Sequence, residues 1–148
     1  MVILSNFSDR LKEQMILREI DAFALSTLIG VDRSTISHWK TEKYMPSTKA
    51  FFRLIDYFQC SADYILGLTD FPTENIVYQQ PLASYGTRLR SLLKSHGLSQ
   101  KKFIEEMKIS SNLAYQWLSD KALPSVEYLI KIADYFDISV DILIGRTT

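Results

Sequence analysis

From Phe51 onward, apolar side chains fall at Phe51, Leu54, Ile55 and Phe58, the i, i+3, i+4, i+7 spacing that puts them on one side of a helix. Leu129, Ile132, Ala133 and Phe136 repeat that spacing later in the chain. Apolar–polar alternation, the mark of half-buried strands, is missing, so the pattern predicts helices throughout. Asp21, Asp32, Ser47 and Ser61 are candidate helix starts, and so are Ser99, Ser110, Ser125 and Ser139. Their side-chain oxygens can accept from the backbone N–H groups that a first helical turn leaves unpaired. Asp63 and Asp141 fall just after two of these caps, where the helix dipole favours negative charge. Gly67 and Gly145 then suit the left-handed position that ends a helix.

These pairs share one offset. Trp39 and Trp117, and Pro46 and Pro124, are each 78 residues apart. Arg10-Leu11 pairs with Arg88-Leu89, and Asp56-Tyr57-Phe58 with Asp134-Tyr135-Phe136, with no gap needed. A duplicated unit follows. The chain is read as a first domain over residues 1–69, a linker over 70–84 and a second domain over 85–148. Each domain is expected to hold about five helices, and a span from Phe7 to Gly67 is long enough to fold alone. Pro72, Pro81 and the polar TEN stretch argue against a helix in the connecting LTDFPTENIVYQQPLAS. Ile76, Val77 and Tyr78 are its candidates for packing on one domain.

Composition narrows the class. With 47% hydrophobic and 23% charged residues, the chain reads as globular. The stretch MVILSNFSDR has too few apolar residues for a secretion signal and no basic segment ahead of them. No apolar run approaches the roughly 20 residues of a membrane helix. A single cysteine permits no internal disulfide, which suits a reducing, cytoplasmic setting. Cys60 aligns with Ile138 and reads as a small buried apolar residue. His38, His96 and Cys60 share no metal or nucleophile motif, and no glycine-rich phosphate loop is present, so neither an enzyme nor a cofactor is expected. With 17 basic and 17 acidic side chains, net charge alone announces no partner.

DAFALSTLIG followed by VDRSTISHWK reads as two short helices joined by a tight turn. Here the chain resembles the Cro/C1-type helix-turn-helix family. The first copy carries the family pattern at Ile20, Leu25, Gly30, Val31, Ile36, Ser37, Trp39 and Pro46. The second carries it at Leu98, Ser99, Gln100, Phe103, Ile109, Ser110, Trp117 and Pro124. The resemblance implies an all-α fold of two tandem five-helix, lambda-repressor-like DNA-binding domains. Both copies depart from the pattern. Ala22 replaces the glutamine that opens the family's second helix, and Lys108 stands in place of the turn glycine, where a left-handed conformation costs about 1–2 kcal/mol. Ser26 with Ile36 becomes Ile104 with Ala114, an exchange of large and small expected to keep core volume roughly constant.

In that family the second helix of the motif enters the major groove and its early residues meet base edges. The matching positions are Arg33, Ser34, Ser37 and His38 in the first copy. In the second they are Ser111, Asn112, Tyr115 and Gln116, with Gln100 and Lys101 alongside. Arginine suits guanine O6 and N7, and Asn or Gln suits adenine N6 and N7, so the two copies would read different sequences. His38 lies on a polar face and stands as either a groove contact or plain surface. Trp39 and Trp117 belong to the core. Lys40, Lys43 and Lys49, with Arg33 and Arg53, form a basic cluster opposed by Glu42 alone, the footprint of phosphate contact. The first copy is thus the stronger candidate for DNA.

The expected function is a sequence-specific regulator of transcription, a repressor of phage or mobile-element type binding double-stranded DNA. It would act as either a homodimer or an intramolecular pseudo-dimer. The competing reading is a scaffold that serves as a protein adaptor or antitoxin-like partner. The 17 residues from 68 to 84 reach roughly 55–60 Å when extended, enough to span half-sites about 34–36 Å apart.

Overall fold

A computed structural model describes residues 2–71 and 78–147. All regular structure among them is helical. The chain divides into two compact units, Met1–Ile76 and Val77–Thr148. The first holds α1 (Val2–Leu17), α2 (Ala22–Ile29), α3 (Arg33–Lys40), α4 (Thr48–Phe58) and α5 (Ala62–Ile65). The second holds α6 (Tyr85–Ser95), α7 (Gln100–Met107), α8 (Ser111–Leu118), α9 (Val126–Phe136) and α10 (Val140–Leu143).

Seven of the eight expected caps close with a side-chain hydrogen bond. Asp21 accepts from the N–H of Ala24 at 2.8 Å, and Ser110 from that of Leu113 at 3.0 Å. Asp32 occupies its cap position but makes no such bond. Inside each unit the periodic apolar faces meet. Phe51, Leu54, Ile55 and Phe58 are all fully buried, as are Leu129 and Ile132. Trp39 is 1% exposed and meets the edge of Phe7, ring centroids 6.3 Å apart. Trp117, also 1% exposed, packs against Tyr128 at 5.1 Å. Both tryptophans are core, as their spacing implied. Cys60 is only half-buried, less enclosed than its alignment with Ile138 suggested.

The repeat extends to polar ties that hold the helices together. Arg10 donates to the carbonyl of Tyr64 at 2.9 Å, and Arg88 to that of Ile142, the matching residue, at 2.6 Å. Each arginine thereby fastens the first helix of its unit to the last. Arg53 reaches the carbonyl of Ile29 at 3.4 Å and Lys131 that of Met107 at 3.3 Å. These cations sit on the C-terminal carbonyls of α2 and α7, where the dipole favours them. At one crossing the units differ. The hydroxyl of Ser8 donates to the Trp39 carbonyl where α1 meets α3. At the matching place Gly86 lets α6 approach α8 so closely that an added Cβ would lie 2.6 Å from the Leu118 carbonyl.

Of the expected linker, Ile76 and Val77 lie outside the described residues. Tyr78 lies beneath the Arg146 guanidinium, 4.0 Å from its ring centroid, and the Gln79 N–H donates to the Arg146 carbonyl at 3.0 Å. Arg146 is itself buried and paired with Asp141 at 2.6 Å. Among the described residues no helix is long and apolar enough to cross a membrane.

Candidate nucleic-acid interface

Each unit builds the interface from its second and third helices. In the first, α2 ends on Gly30, whose φ of 73° and ψ of 38° turn the chain toward α3. In the second, Lys108 takes the same left-handed conformation, φ 57° and ψ 46°. The turn is therefore preserved and not reshaped; a lysine bears the conformational cost that a glycine avoids.

On α3, Ile36 and Trp39 point into the core, which leaves Arg33, Ser34 and Ser37 exposed on the outer side. On α8, Ala114 and Trp117 point inward, and Ser111, Asn112 and Tyr115 are exposed. The last reader of each set, His38 and Gln116, is half-buried. Lys43, Lys49, Gln100 and Lys101 are exposed, whereas Lys40 is half-buried at the end of α3. Among the described residues no ion pair engages Arg33, Lys40, Lys43 or Lys49. Arg53, counted in the same basic cluster from sequence, is instead directed at the end of α2. That narrows the lead of the first unit in available charge.

The second unit brings its candidates together across elements. Gln100, Ser111 and Tyr115 line one groove of about 380 Å³ between α7 and α8, floored in part by Ile104 and Ala114. Ile104 stays half-buried while Ala114 is 1% exposed. The exchange of large and small residues therefore moves volume without filling the cleft. In the first unit Ala22 and Lys40 line a different groove, toward α1.

Two contributors escaped the sequence reading. The Tyr44 hydroxyl lies 2.8 Å from His38 Nδ1, with the rings edge to face at 5.2 Å. The Lys121 ammonium sits 4.9 Å from the centroid of Tyr115. In both units a side chain from the loop after the third helix holds an aromatic reader in place. No motif spacing signals this, because long side chains reach across a loop whose path periodicity does not encode.

Two helices joined by a left-handed turn, the second exposing polar residues along one side, define a helix-turn-helix protein. The sequence profile of the helix-turn-helix family matches residues 11–65 and again 89–143, about three-quarters of the chain, in the register of the internal repeat. The chain belongs to this family, in its Cro/C1 type, as two tandem copies, and is a DNA-binding regulator of that kind. No curated protein and no solved structure matches it significantly.

Proposed function

We propose that the protein is a sequence-specific transcriptional repressor, of phage or mobile-element type, whose two units read different base sequences on double-stranded DNA. The observation that carries this reading is the contrast between exposed residues at matched positions: Arg33, Ser34 and Ser37 on α3 against Ser111, Asn112 and Tyr115 on α8. Arg33 is the reader for guanine and Asn112 for adenine. Lys40, Lys43, Lys49 and Lys101 serve the phosphates, which fix register without reading sequence. His38, Gln100 and Gln116 flank the readers. Repression asks only that a site overlapping a promoter be held, and two linked reading units suit that task.

Linkage supplies the affinity that each unit lacks alone. Asp70 is tied to Arg10 at 3.4 Å, and Tyr78 to Arg146. The eight steps between Asp70 and Tyr78 reach roughly 26–29 Å when extended, about half the reach of an untethered 17-residue segment. A short tether raises the effective concentration of the second unit once the first has bound.

The test is duplex affinity as a function of salt, for the wild type and for Arg33→Ala and Asn112→Ala. On the preferred duplex each substitution is expected to cost about 1–3 kcal/mol while leaving the salt slope unchanged. Lys43→Ala should instead weaken all duplexes alike and reduce the slope. Failure to bind any duplex at low salt would favour the adaptor reading.

A further inference from the structure

The two units provide an internal control for what their shared scaffold requires at its surface. Ile16, Phe23 and Leu28 are 76%, 63% and 59% exposed. The residues 78 positions later are Lys94, Lys101 and Glu106. Ala24 and Thr27 likewise correspond to Lys102 and Glu105. The last turn of α1 and the outer side of α2 thus carry no formal charge at positions where α6 and α7 carry five. The second unit folds on this scaffold without apolar side chains there, so the fold does not require them. Large apolar groups held in water on one face mark a surface of association.

A groove of about 400 Å³ opens in this face, with Ile16, Ile20 and Ala22 among its lining residues. Its rim is balanced in charge, Lys12 and Lys40 against Glu19 and Asp21. Lys12 lies about 10 Å before Glu19 along the direction of α1, so the cationic and anionic parts of the rim are displaced along that helix. We propose that the α1–α2 face of the first unit is a self-association surface, and that its occupant is the same face of a second copy of the chain.

The rim selects this occupant. A strongly acidic or basic partner would meet as many repulsions as attractions. A two-fold axis that sets two α1 helices antiparallel places Lys12 of each copy toward the Glu19 and Asp21 end of the other, with apolar floors facing. Such an interface is self-complementary, as an isologous dimer demands. The present contact of Lys12 with Asp9, at 3.6 Å, is a surface pair that yields readily. α3 meets the groove at Lys40, its last residue, while Arg33 and Ser34 lie in its first turn at the other end. Two-fold association then turns a pair of dissimilar half-sites into an inverted repeat of that pair.

Sedimentation equilibrium of the full chain tests this without DNA, so its outcome is separate from whether either unit reads bases. The reference is the wild type, and the first variant is Ile16→Lys with Phe23→Lys, which installs the residues the second unit already carries at those places. The wild type is expected to dimerise, and the double variant to dissociate about 100-fold more readily with unchanged helical content. Lys12→Glu alone should weaken the dimer and Lys12→Glu with Glu19→Lys should restore it, a rescue that a folding defect would not show. A wild type that stays monomeric at every concentration, or a lysine double variant that dimerises as well as the wild type, would overturn the proposal.

Discussion

Lys108 and Gly30 pose one backbone problem with two side chains. Both sit at positive φ, and lysine pays a steric cost there that glycine does not. Lys108→Gly should therefore stabilise the second unit by roughly 0.5–1 kcal/mol once the extra entropy of an unfolded glycine is subtracted. Urea denaturation checks this, and an unchanged or lower midpoint would contradict it. Tyr44 makes a different kind of claim. Through its 2.8 Å contact it fixes which way the His38 ring faces, leaving Nε2 as the nitrogen that can meet a base. Tyr44→Phe should flatten base preference at a single position of the bound sequence while leaving stability and the salt slope alone. Loss of affinity for all duplexes equally would assign Tyr44 a different role. Neither the tie to His38 nor the inward use of Arg53 was legible in sequence, since both depend on how far a flexible side chain reaches.

At the scale of helices, the repeat was legible because its signals are local: a cap oxygen, an apolar period, a closing glycine. The left-handed positions were less so. Five occur in each unit among the described residues, in matched pairs, yet Glu19, Glu42, Gln59 and Asp137 give no compositional sign of them. Here tertiary packing sets the backbone and the side chain tolerates it. The crossing of α6 over α8 shows what replaces the Ser8 tie of the first unit. Asp120 accepts from the N–H of Gly86 at 2.8 Å. Hydrogen bonding from Ser84 first, and from that backbone N–H second, holds its carboxyl below the ordinary value of 3.8. A carboxyl depressed by folding stabilises above its ordinary value and loses that contribution as pH falls through the lower folded one. Asp120→Asn keeps a residue that tolerates positive φ and removes only the charge. Its melting temperature should fall below that of the wild type at pH 7, and the gap should narrow toward pH 3. A gap that is constant with pH would contradict the electrostatic origin.

Across the whole molecule, one scaffold occurs twice with unlike surfaces. The outer face of α3 differs from that of α8, and the apolar α1–α2 face has a charged counterpart in α6–α7. The family and the positions of the reading helices could be read from sequence, because both follow from register. The apolar face could not, because an exposed Phe23 and a buried Phe7 look alike in a string of letters. The central claim is that both units read DNA and read it differently. Selection of bound duplexes from a random pool, with the full chain at low salt, tests it most directly. Two dissimilar submotifs at fixed spacing are expected, the one lost with Arg33→Ala and the other with Asn112→Ala. A single submotif, alone or as a simple palindrome and unaffected by one of those substitutions, would contradict it.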